Sequence, residues 1–117
     1  MKVVAVMTDL FFSVRINEAA KALGMTVQFV KDRDAVLAAE KTKPVVMIFD
    51  LNCAAVDAVE LIGLVKDAVP TIGFVSHVQV ELKQRALEAG CDVVVARSAF
   101  SQKLPELLRT YAAAQID

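Results

Sequence analysis

The chain predicts an α/β domain with a doubly wound parallel sheet, and three observations carry that expectation. Short apolar runs recur five times along 117 residues, a segment of helical period follows each one, and the third run, Val45-Val46-Met47-Ile48-Phe49, is apolar at every position. A strand without polar alternation is buried on both faces, which is the habit of parallel sheets covered by helices. Strands alternating with helices along the whole chain complete the pattern, a (βα) unit repeated five times.

The elements follow in order. Residues 3–7 read as the first strand, and 13–23 as the first helix, with Ile16, Ala19, Ala20 and Leu23 on one face and Gly24 as its stop. Residues 26–30 are the second strand, and 33–40 a short helix opened by Asp32 as N-cap. The third strand, 45–49, leads to a helix over 55–68 that carries Val59, Ile62 and Val65 and ends before Pro70. Residues 71–75 are the fourth strand, and the helix from Val80 to Ala89 stops at Gly90. The fifth strand covers 92–96, and the last helix, from Gln102 to Ala113, puts Leu104, Leu107, Leu108 and Tyr111 on one face as core and rim.

Size and composition bound the function. One domain over residues 1–117 is expected, long enough to bury a real core, with no linker, repeat or low-complexity segment. No apolar run approaches the length that spans a bilayer and no signal-peptide pattern opens the chain, so a cytoplasmic protein with no membrane partner is expected. A net charge of −1 and few aromatics, none interleaved with basic residues, argue against nucleic acid as a partner. Cys53 and Cys91 are far apart and His77 is the single histidine, too few ligands for structural zinc. The cysteines read as small buried hydrophobes in a reducing compartment. No Ser, Cys or second His is placed to form a hydrolytic triad with His77, and no enzymatic activity is expected.

The third strand ends in Asp50, and ligands of open parallel sheets bind at the carboxyl ends of the strands. Five-stranded domains of this length include flavodoxin-like folds, with strand order 2-1-3-4-5 and helices on both faces of the sheet. In that order Asp9 after the first strand, Asp50 after the third, Ser76 after the fourth and Arg97 after the fifth share one face. Two carboxylates can hold a hard divalent cation, and a hydroxyl and a cation can contact a phosphoryl group. A carboxylate can itself become an acyl phosphate. A flavin or nucleotide site would instead need a Gly- or Ser/Thr-rich phosphate loop after the first strand, where Thr8-Asp9-Leu10-Phe11-Phe12 offers one acid and three bulky apolar residues.

The run Asp50-Leu51-Asn52-Cys53-Ala54-Ala55-Val56-Asp57-Ala58-Val59-Glu60-Leu61-Ile62 resembles the phosphoacceptor segment of response-regulator receiver domains, the CheY-like superfamily, which reads D-L-x-M-P-x-M-D-G-x-E-L. Val69-Pro70-Thr71-Ile72-Gly73-Phe74-Val75-Ser76 and Ala86-Leu87-Glu88-Ala89-Gly90-Cys91-Asp92 are similar to the family's fourth strand and its A-L-E-A-G-A-D entry to the fifth. The resemblance spans the chain in order and spacing. It implies that Asp50 accepts a phosphoryl group from a histidine kinase or phosphotransfer protein, with Ser76 and Arg97 contacting that group. It also implies Mg2+ held by Asp9, Asp50 and the backbone carbonyl of Asn52. The switched surface would be the Val80–Ala89 and Gln102–Ala113 helices, which would bind an output protein or a second copy of the chain.

The departures from the family pattern define a rival expectation. Thr8 stands where the family has a second acid, which lowers the ligand charge and weakens Mg2+ binding. Arg97 replaces the family's Lys, and its planar fork does not substitute for a compact ammonium. Ser98 replaces the Pro that follows that Lys, Val94 the aromatic of the fifth strand, Cys53-Ala54 the M-P pair and Ala58 the Gly. A lasting ion pair between Arg97 and Asp50 would hold the domain in one state. The alternative function is therefore a degenerate pseudo-receiver, a protein–protein interaction module that works without phosphorylation.

Overall fold

The computed structural model describes residues 1–76 and 79–114, so His77 lies outside the described residues. Five (βα) units run β1 Lys2–Val6, α1 Leu10–Ala22, β2 Thr26–Val30, α2 Arg33–Glu40, β3 Val46–Asp50, α3 Ala58–Val65, β4 Thr71–Val75, α4 Val80–Ala89, β5 Val93–Ala96 and α5 Arg97–Ala114. The strands form one parallel sheet in the order β2-β1-β3-β4-β5. This is the flavodoxin-like architecture expected from the sequence.

Alternation along the central strands feeds two cores. Val4, Val6, Met47 and Phe49 pack with Val36, Leu61, Ile62, Val65 and Ala86, so α2, α3 and α4 cover one face. Val3, Ala5, Val46, Ile48, Ile72 and Phe74 pack with Ile16, Ala20, Phe100, Leu104 and Leu108, so α1 and α5 cover the other. Every residue of β3 and β4 is buried, which accounts for their unbroken apolar runs. Leu107 and Tyr111 of α5 are partly buried at the rim of the second core, and both cysteines are buried and unpaired.

Three helices begin on an aspartate. The side chains of Asp9, Asp32 and Asp57 accept the backbone N–H groups of Phe12, Ala35 and Glu60, satisfying donors that the first helical turn leaves open. These caps move two boundaries from their expected places: α1 starts at Leu10 rather than 13, and α3 at Ala58 rather than 55. The last helix also begins early, at Arg97 rather than Gln102, directly after β5. At the end of α4, Gly90 takes φ 110°, a conformation that L side chains rarely adopt. A Cβ there would also run into the Lys66 side chain.

Candidate functional site

Asp50 is the last residue of β3 and follows the parity of Ile48, so its side chain leaves the sheet on the α1/α5 side. It is almost fully buried, at 5% exposure. One carboxylate oxygen, Oδ1, accepts the Asn52 backbone N–H at 2.9 Å. The other takes no hydrogen bond among the described residues. Burial pushes the Asp50 carboxyl above the ordinary aspartate value; the Asn52 amide and the Arg97 charge oppose that rise, and the Asp9 charge adds to it.

The guanidinium expected near Asp50 pairs elsewhere. Arg97, at the start of α5, donates through one terminal nitrogen to Asp9 Oδ2, while Asp9 Oδ1 caps α1 through the Phe12 amide. No ion pair joins Arg97 to Asp50 among the described residues, so the rival Arg97–Asp50 pair is corrected to Arg97–Asp9. The reason is the capping position: it brings the Asp9 carboxylate toward the start of α5, and aromatic rings fix the cation there. Arg97 Cζ lies 4.5 Å from the centre of the Phe12 ring and 5.6 Å from that of Phe74. Those rings belong to a cluster in which Phe74 stacks on Phe100 at 4.5 Å and Phe12 leans on Phe74 at 5.6 Å.

Asn52 does more than present its backbone. Its side-chain oxygen accepts the Ser76 backbone N–H at 2.8 Å, and its side-chain nitrogen donates to Gln79 Oε1 at 2.6 Å. The loop after β3 is thereby tied to the residues on both sides of the segment that leads into α4. A glutamine before a helix carries no chemical signature of its own, so the sequence gives no sign of the Gln79 contact. Ser76, Ser98, Arg97 and Phe12 line a shallow recess of about 350 Å³. The expected set of Asp9, Asp50, Asn52, Ser76 and Arg97 is thus gathered at the carboxyl ends of β1, β3, β4 and β5.

Whether these residues fit a divalent cation turns on Asp9. A hard cation such as Mg2+ takes about six oxygens in near-octahedral order. Both Asp9 oxygens are engaged, one by the Phe12 amide and one by Arg97, and Thr8 beside it is neutral and exposed. That leaves one open carboxylate oxygen, on Asp50, and no group of three acidic, His or Cys side chains suited to a metal among the described residues. In this arrangement Asp9 is committed to Arg97 and to the cap of α1, and the donors as they stand do not fit the cation.

The surroundings are partly apolar. On α1, Leu10, Phe11 and Val14 are exposed while Phe12 turns inward, and on α4 Val80 and Leu87 are exposed. No helix among the described residues is long and apolar enough to cross a membrane.

Comparison with known proteins places the architecture. No protein-family model matches the chain, and no curated protein matches it in sequence. Solved structures do match. The chemotaxis response regulator CheY4 of Vibrio cholerae superposes with a TM-score of 0.79 at 21% identity over 94% of this chain and 97% of that one. The response regulator domain of Thermotoga maritima CheB gives a TM-score of 0.77 at 22% identity over 100% of this chain and 97% of that one. A response regulator protein from Burkholderia pseudomallei, solved with a phosphorylated aspartic acid, a calcium ion and citrate, gives 0.78 at 17% identity over 98% of this chain and 71% of that one. Sheet order, helix placement and these superpositions agree: the chain has the fold of response-regulator receiver domains.

Proposed function

We propose that this chain is a receiver-type signalling module that binds a protein partner without being phosphorylated. The observation that carries this reading is the Arg97–Asp9 ion pair, with Arg97 seated on the Phe12 and Phe74 rings. Phosphoryl transfer to a carboxylate builds negative charge that a bound cation normally offsets. Here the second carboxylate is already committed, and Asp50 is left desolvated. The partner surface would be α4 and α5, where Val80 and Leu87 are open, and the partner an output protein or a second copy of the chain. The module would be neither an enzyme nor a nucleic-acid or membrane binder. A cytoplasmic setting suits its two unpaired, buried cysteines.

A second reading has its own support. Asp50 lies at the end of β3 with one oxygen uncommitted among the described residues, and Ser76 and Arg97 line a recess at the same sheet edge. In that reading a histidine kinase or phosphotransfer protein phosphorylates Asp50, with Ser76 and Arg97 contacting the phosphoryl oxygens.

The two readings separate by intact mass after incubation with a small-molecule phosphodonor and Mg2+, with Asp50→Asn as control. An unchanged mass in both chains is the expected result. A phosphoryl adduct on the parent that vanishes in the variant would overturn the first reading in favour of the second.

A further inference from the structure

We infer that two copies of this chain join through the outer edge of β2, antiparallel about a two-fold axis at Gln28, to make one continuous sheet. The inference goes beyond the proposed function and does not depend on it. β2 lies at the end of the sheet and pairs with β1 alone. The Thr26 N–H donates to the Met1 carbonyl and the Val30 carbonyl accepts from the Met7 N–H, so the backbone groups of Thr26 and Val30 turn toward β1. By alternation, those of Val27 and Phe29 point away from the sheet. Natural edge strands are usually blunted by a charge, a proline or a bulge. Thr26-Val27-Gln28-Phe29-Val30 has no charged residue and no proline, and its register with β1 is unbroken.

A two-fold axis at Gln28 sets Val27 of each copy opposite Phe29 of the other, where they exchange both backbone hydrogen bonds. Their apolar side chains meet as cross-strand pairs on the α1 side of the sheet. Phe29 is exposed there, and exposed Leu10 and Val14 of α1 continue the apolar surface, Leu10 sharing a recess with Phe29. Charge selects a second copy as the occupant. On the α2 side, exposed Asp32 and Asp34 stand at the carboxyl end of β2, and Lys2 and exposed Lys41 at the amino end of the sheet. Arg33, also at the carboxyl end, is paired with Glu60 of α3. An antiparallel copy brings the acids of each chain to the level of the other's lysines. Lys21 and Lys31, on the α1 side, are exposed and long enough to turn into solvent. A dimer closed at β2 leaves α4 of both copies open.

The test is sedimentation equilibrium of the full chain across concentrations up to the millimolar range. The parent should approach twice the mass of one chain. Val27→Pro removes one outward N–H, Phe29→Lys sets a charge beside the axis, and each should stay at the mass of one chain. Using both variants guards against a folding defect in one, and dispersed amide spectra establish that each is folded. Val80→Lys, on the exposed face of α4, should dimerise as the parent does. Hydrogen exchange at the Val27 and Phe29 amides should slow at least about tenfold between dilute and concentrated parent, because pairing closes them to water. A parent that remains at single-chain mass throughout would overturn the inference. So would a dimer that survives in folded Val27→Pro and Phe29→Lys, one that is lost in Val80→Lys, or one that leaves the Val27 and Phe29 amides unprotected.

Discussion

The carboxylate of Asp9 serves two partners at once, the amide of Phe12 three residues on and the guanidinium of Arg97 at the far end of the chain. It therefore joins the start of α1 to the start of α5, the two helices on one face of the sheet. The two roles separate by substitution. Asp9→Asn keeps a good capping side chain and loses only the charge, so urea denaturation should show a loss of about 1 kcal/mol or less, typical of a part-exposed pair. Asp9→Ala should cost about 1 kcal/mol more through the lost cap. Equal losses in the two variants would mean that the cap contributes nothing.

Asp50 is expected to reduce stability at neutral pH. Its carboxyl titrates above the ordinary 3.8 because burial disfavours the charged form. A raised folded-state value means that the favourable contribution is complete below the unfolded value and is lost as pH rises through the folded one. Asp50→Asn keeps an acceptor for the Asn52 amide and removes the buried charge. Its melting temperature should exceed the parent's by a few degrees at neutral pH, with the gain shrinking as pH falls toward 3.8. A variant less stable than the parent at neutral pH would show that Asp50 is stabilised by more than the contacts described.

The Asn52 side chain should govern how tightly the residues before α4 are held. Asn52→Ala removes the acceptor for the Ser76 amide and the donor to Gln79. Hydrogen exchange at the Ser76 amide should speed up on the order of fivefold, the equivalent of one net hydrogen bond, with the β3 amides unchanged. Unaltered exchange at Ser76 would show that the side chain does not hold that loop in solution.

Tyr111 offers a clean optical readout, being the single tyrosine of a chain without tryptophan. Partial burial against the α1/α5 core pushes its phenol above the usual 10, and the nearby Asp92 charge adds to the rise. Absorbance titration of the folded chain should give a midpoint above that of the chain in denaturant. Coincident midpoints would place the phenol in full contact with water.

The sheet was legible because its signal is local. Strand limits moved by no more than a residue from the expected ones, since apolar runs bounded by polar residues mark buried strands directly. The helix starts were less legible. Leu10 and Phe11 are exposed in the structure, so the apolar residues after Asp9 do not follow the buried face of α1, and a capping aspartate read as an open ligand. The grouping of Asp9, Asp50, Ser76 and Arg97 at one edge of the sheet was legible, because topology alone brings them together. Its pairing was not. Which carboxylate takes Arg97 depends on the aromatic seat formed by Phe12 and Phe74 and on a contact spanning 88 positions, neither of which has a local signature.

The strand order β2-β1-β3-β4-β5 also permits assembly in chain order. β1 is an interior strand that pairs with both β2 and β3, and β4 and β5 each pair with the strand before them. The apolar interior around β1 and β3 can thus begin to form while the last helix is still missing. Asp9 is then present at its cap, but its counter-charge has yet to be synthesised. The Arg97–Asp9 pair can close only once both partners are present, and it fastens the fifth (βα) unit to the first across the strand-end face.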